Sequence, residues 1–148
     1  MAKYYKEYDI KRPGFTDGIK VRIYKTPESM RKGYLAEWAK YTRQKNTEDL
    51  SDTVGFCFDV PPMVSDRAEG LFVSELYAII FLNEKFLTPE IAIHECVHAT
   101  FTHEQDIERF EMDYSYRENK THEERFCYYL GWLSAELLQL LKKEGFLR

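Results

Sequence analysis

The chain has 148 residues, 44% hydrophobic and 31% charged, the make-up of one soluble domain large enough to bury a proper core. A formal net charge of −4, with acidic and basic residues intermixed, excludes the basic surface that a phosphate backbone attracts, so no nucleic-acid partner is expected. The longest apolar run, 76–82, is far too short to cross a bilayer and the first residues lack the apolar stretch of a secretory signal, so a cytoplasmic protein without a membrane partner is expected.

Residues 1–18 are polar and aromatic and end in two turn signals, Arg12-Pro13-Gly14 and Asp17-Gly18, which suggests a loosely held N-terminal arm. From Ile19 to Lys25 apolar and charged residues alternate, the period of a strand with one buried face. Thr26-Pro27-Glu28 then reads as N-cap, first helical position and acidic first turn. Over 28–44, Met30, Tyr34, Leu35, Trp38 and Tyr41 recur at helical spacing, predicting an amphipathic helix packed on a sheet. A polar loop over 45–53 leads to a strand over 54–60, stopped by Pro61-Pro62. Residues 63–70 read as a turn. One or two strands are expected over 71–75 and 77–82, the second so continuously apolar that both its faces should be covered.

Thr88 and Pro89 open the next helix as cap and first position, and no Gly or Pro interrupts 89–105. On it lies His94-Glu95-Cys96-Val97-His98. The two His are four residues apart, slightly more than one turn, so both imidazoles leave one face and can hold one ion. This is the HExxH arrangement, in which two His bind Zn²⁺ and the Glu serves as general base toward a water activated by the metal. His103, nine residues beyond His94, is half a turn out of phase and reads as a surface residue. Cys57, Cys96 and Cys127 are an odd set with no CxxC pair, which fits a reducing compartment and three small core residues rather than disulfides or a thiolate zinc site.

The charged run after His103 lacks a period and reads as a connection. A long amphipathic helix follows from Thr121, with Phe126, Leu130, Leu133, Leu137 and Leu140 on its apolar stripe and Gly145 as terminator. Catalytic zinc takes three protein ligands, so a third must come from elsewhere, and the start of this helix offers His122, Glu123 and Glu124. Glu124 shares a face with Cys127, Tyr128, Gly131 and Ala135, mostly small residues that let another helix come close. Against it stands a capping box, in which Thr121 caps the helix and Glu124 bonds back to it, leaving Glu123 next in line and His122 third.

HECVHA followed by THEERFCYYLGWL resembles the gluzincin branch of the zincin metallopeptidases, and more closely the small HExxH proteins encoded by phages and prophages. Their second motif has the form Glu-x-Phe-x-Tyr-Leu-x-Gly-aromatic, met here by Glu124, Phe126, Tyr128, Gly131 and Trp132, with Tyr129 in the Leu position. The likeness covers about the C-terminal half of the chain. It implies a minimal zincin-like α+β domain spanning 1–148, with a small mixed sheet packed against the N-terminal helix, the HExxH helix and the long C-terminal helix. It also implies that the strand over 77–82 is the edge strand lining a peptide cleft, and that Zn²⁺ sits on His94, His98 and Glu124. With Glu95 as general base and Tyr128 or His122 as oxyanion donor, the expected activity is hydrolysis of a peptide bond in a peptide or protein substrate. The competing expectation is a catalytically silent binding protein of phage origin on the same scaffold, engaging a host or phage protein.

Overall fold

In the computed structural model the described residues are 5–11, 18–42, 50–60, 65–67, 70–72, 76–108 and 116–148, with 65–67, 70–72, 76–77, 104–108 and 116–122 described by backbone alone. The elements are β1 (Tyr5–Lys11), β2 (Gly18–Tyr24), α1 (Pro27–Thr42), β3 (Phe56–Asp59), β4 (Ser65–Arg67), β5 (Gly70–Phe72), β6 (Leu76–Asn83), α2 (Pro89–Glu108) and α3 (Tyr116–Lys143). Four strands form a mixed sheet in the order β1-β2-β6-β3, with β2 and β6 parallel and the outer pairs antiparallel. The fold is therefore α+β, a mixed sheet with three helices. Among the described residues, no helix is long and apolar enough to cross a membrane.

Alternation along β6 explains the layering. Ala78, Ile80 and Leu82 face a core with Ile19, Val21 and Ile23 of β2, with Ala92, Cys96 and Ala99 of α2, and with Leu133, Leu137 and Leu141 of α3. Ile79 and Phe81 face the other way, into a core with Met30 of α1 and with Phe56 and Phe58 of β3. The sheet is thus sandwiched between α1 on one side and α2 with α3 on the other. A parallel strand pair buried on both faces requires such cover.

Three sequence expectations are corrected here. Residues 5–11 are not a loose arm. They pair along their whole length with β2, Lys11 opposite Gly18, although only Ile10 is buried, which is why their sequence lacks a strong period. The expected turn over 63–70 contains β4, which pairs with β5 in a separate hairpin. The apolar strand, β6, is not an edge. It lies between β2 and β3, and the edges are β1 and β3.

The helix ends follow their caps. Thr26 Oγ1 accepts from Ser29 N at 3.2 Å and Thr88 Oγ1 accepts from Ile91 N at 3.2 Å, the side-chain caps of α1 and α2. At the end of α3, Phe146 N bonds to Leu141 O at 2.8 Å and Gly145 N to Lys142 O at 3.2 Å. With Gly145 at φ 82° this is a Schellman stop, and Phe146 and Leu147 fold back onto the core.

One buried side chain ties the sheet to the segment before β3. Asn83, 1% exposed at the end of β6, donates Nδ2 to Val54 O at 2.8 Å and accepts from Phe86 N at 3.0 Å. From α1, Arg31 donates Nε and Nη2 to Thr53 O at 3.2 and 3.0 Å. Residues 53–55 are thereby held from two directions. Replacing Asn83 with Ala leaves a carbonyl and an amide unpartnered, and the expected loss is about 2 kcal/mol in urea-induced unfolding, against a few tenths for an exposed control such as Glu84→Ala.

Candidate metal centre

The motif helix separates its residues by face. Ala92, Cys96, Ala99 and His103 point into the domain and are buried, whereas His94 and His98 point out and are exposed. The two imidazoles converge, with Nε2 of His94 and Nε2 of His98 at 3.3 Å and the rings 73° from coplanar. Two ligands at about 2.0–2.1 Å from one ion, subtending a tetrahedral angle, are separated by about 3.3 Å. The pair therefore already has the chord of a tetrahedral site. The same separation suits a long N–H···N bond between neutral rings. Neither ring has another hydrogen-bond partner among the described residues, so no second contact fixes its tautomer.

Glu95 takes the boundary position between the two faces of α2 and is only 4% exposed. It lies against Gly55, at the approach to the edge strand β3. Burial raises its carboxyl to a pKa of about 7. A carboxylate whose proton affinity lies near neutrality suits a general base that must both take and return a proton. Farther along the same helix, Thr102 Oγ1 donates to Asp59 Oδ1 and also approaches His98 O at 3.2 Å. Both ends of β3 are thus in contact with the motif helix.

The third donor is where structure and expectation part. α2 continues to Glu108 and α3 begins at Tyr116, so Thr121 lies inside α3 and does not cap it. The capping-box role for Glu124 is therefore removed. Glu124 is exposed, as are Cys127, Tyr128, Gly131 and Ala135. The small-residue face that was expected to receive another helix points outward, and a Cβ added at Gly131 meets nothing within 4 Å. The packed face is the stripe of Tyr129, Leu133, Leu137 and Leu141.

α2 and α3 run antiparallel. The Phe101 and Phe126 rings lie 4.8 Å apart and His103 stacks on Tyr129 at 3.9 Å. In this register Glu124 stands towards the carboxy-terminal end of α2, beyond Phe101, while the His pair lies nearer the start. Among the described residues, no third His, Cys, Asp or Glu joins the pair in a group able to hold an ion. Glu123 is also exposed, and His122 is described by backbone alone.

Other assignments shift accordingly. His103 is not a surface residue, since its stack on Tyr129 buries it at the helix interface. Tyr128 is 73% exposed. Of the cysteines, Cys96 is buried, and burial raises its thiol to about 12. Cys57 is half-buried and Cys127 is exposed, contrary to its expected core position. The residue missed from sequence is Gly55. Nothing local marks it, because its importance comes from a helix forty residues later.

The sign of the Glu95 shift gives a pH test. A carboxyl raised from its ordinary value of about 4.5 to about 7 leaves the fold unpenalised below the lower value. Stability then falls as pH rises through that window, because ionisation is harder in the folded chain. In protein stripped of metal with EDTA, Glu95→Gln should therefore raise stability by about 1–3 kcal/mol at pH 8 and change it little near pH 4.5, read by urea unfolding at both pH values. No family model, curated protein or solved structure matches this chain, so the assignment rests on the geometry of these residues.

Proposed function

We propose that this chain is a zinc-dependent peptidase of the HExxH type, zincin-like in fold and cytoplasmic, with His94 and His98 as ligands, Glu95 as general base and Glu124 as third ligand. The observation that carries the reading is the convergence of the two Nε2 atoms at 3.3 Å on a helix whose intervening Glu95 is buried. Bound to the pair, Zn²⁺ would supply Lewis acidity, polarising a carbonyl and making water acidic near neutral pH.

The chain's own residues supply the remaining functions. Glu95 can accept a proton from water at neutral pH and return it to a leaving amine, because burial has matched its proton affinity to both steps. β3, paired on one side only among the described residues, offers the extended edge along which a peptide can add as a further strand. Gly55, just before that edge, and Asp59, at its end, both meet α2, the helix that carries the His pair. Tyr128 is the proposed oxyanion donor, and its exposed phenol shares an outward face of α3 with Glu124. Glu124 is kept ahead of Glu123 and His122 on the resemblance, whose second motif opens with a Glu at this position. The resemblance to phage and prophage HExxH proteins makes a host or phage protein the substrate class.

A second reading has its own support. With no third donor beside the pair among the described residues, the same scaffold suits a catalytically silent binding protein of phage origin. Metal content and cleavage together separate the two. The purified chain should hold one zinc per molecule by mass spectrometry of metals, and His94→Ala or His98→Ala should weaken zinc binding by at least about a hundredfold. Glu124→Ala should weaken it by at least about tenfold and Glu123→Ala by less. Glu95→Gln should keep its zinc and lose cleavage of casein or a peptide library by at least about a hundredfold. Zinc retained by both proteins with cleavage by neither establishes the binding reading, and no zinc at all removes both metal-based accounts.

A further inference from the structure

We propose that Gly55 is a positioning residue for Glu95, its missing side chain providing the seat in which the carboxyl is held beside the His pair. The proposal rests on the reading of Glu95 as general base. A Cβ built on Gly55 would lie 3.0 Å from Glu95 Oε1, 3.2 Å from Ile91 Cγ2 and 3.4 Å from Glu95 Cγ. The first distance is below that of ordinary packing, and both α2 residues meet the same point. No φ requirement explains the glycine, since among the described glycines only Gly145 has a positive φ. What glycine provides at position 55 is therefore space.

The backbone cannot readily retreat to make room. Asn83 holds Val54 O and Arg31 holds Thr53 O on one side of Gly55, and β3 is paired with β6 immediately on the other. α2 is fixed through Ala92, Cys96 and Ala99 in the core. With both backbones anchored, the flexible end of Glu95 is the part that must give. A Cβ at 55 therefore shifts the Glu95 carboxyl by a few tenths of an ångström, and no contact of that Cβ reaches His94 or His98. Gly131 shows the contrast, for there an added Cβ meets nothing and no neighbour would be displaced.

The test compares Gly55→Ala in two backgrounds. With Glu95 present, the substitution should lower the unfolding temperature. With Glu95→Ala, which empties the seat, the drop should shrink to less than half. Gly55→Ala should also leave zinc affinity within about threefold of wild type, because the ligands are undisturbed, while kcat falls about 10- to 100-fold with KM little changed. A crystal structure of Gly55→Ala should show the Glu95 carboxyl displaced. An equal drop in unfolding temperature in both backgrounds, or a Glu95 carboxyl still in its seat in Gly55→Ala, overturns the proposal. If wild type binds zinc but cleaves nothing, the peptidase reading fails, and the two-background comparison with the crystal structure still decides the seat.

Discussion

The constraint on which the site depends is the small inner face of α2. Ala92, Cys96 and Ala99 recur at helical spacing and are all buried, so the helix axis comes close to the sheet. A large residue at any of them would hold the helix farther off. Close approach brings Glu95, at the edge of that face, against Gly55, and it turns His94 and His98 to the opposite side. The partition between dry and wet faces of one helix thus sets a buried carboxyl beside two exposed imidazoles. For a metal-assisted hydrolysis this is the useful division, because a base needs a raised proton affinity and ligands need an open approach.

Such a carboxyl is costly, and the rest of the fold must offset it. Leu133, Leu137 and Leu141 of α3, with Ile80 and Leu82 of β6, are fully buried in the core that holds α2, each contributing about 1.5–3 kcal/mol relative to exposure. α1 does the same for the other face through Met30, packed with Phe81. A sheet covered on one side alone would leave Ile79 and Phe81 in water. The two-sided cover also explains why β6, which contributes to both cores, is an inner strand and leaves β3 at the edge beside α2.

Much of this arrangement was legible in the residues, for identifiable reasons. The alternation over 19–25 and the apolar run over 77–82 mark β2 and β6, and the leucine stripe marks α3, whose buried face holds the expected Leu133 and Leu137 but adds Tyr129 and Leu141 in place of Phe126, Leu130 and Leu140. Pairing partners are another matter. Whether an apolar strand is inner or outer depends on chain segments far away, so the strand over 77–82, an edge by family resemblance, is an inner strand with β1 and β3 outside. β1 escaped notice because an edge strand with one buried residue has no period to show. α2 runs on to Glu108 and α3 begins at Tyr116, both beyond the expected limits, because charged helix ends resemble loop in composition. Cys127, Gly131 and Ala135 are compatible with either a packed or an open face, and the neighbouring Tyr129, Leu133 and Leu137 stripe decides against packing.

Motif and register therefore carry different parts of the chemistry. The motif acts within one helix, where a four-residue step is enough to bring two Nε2 atoms to a metal's chord with no help from tertiary structure. A third ligand cannot be encoded that way, because it depends on how far α3 is displaced along α2, a register marked by Phe101 with Phe126 and His103 with Tyr129. Two imidazoles alone make an incomplete catalytic site, since the chemistry needs three protein ligands and one open position. The distinction between a hydrolase and a binding protein consequently lies in the packing of α3 more than in the HExxH residues. The His103–Tyr129 stack and the leucine stripe fix where Glu124 stands relative to the His pair.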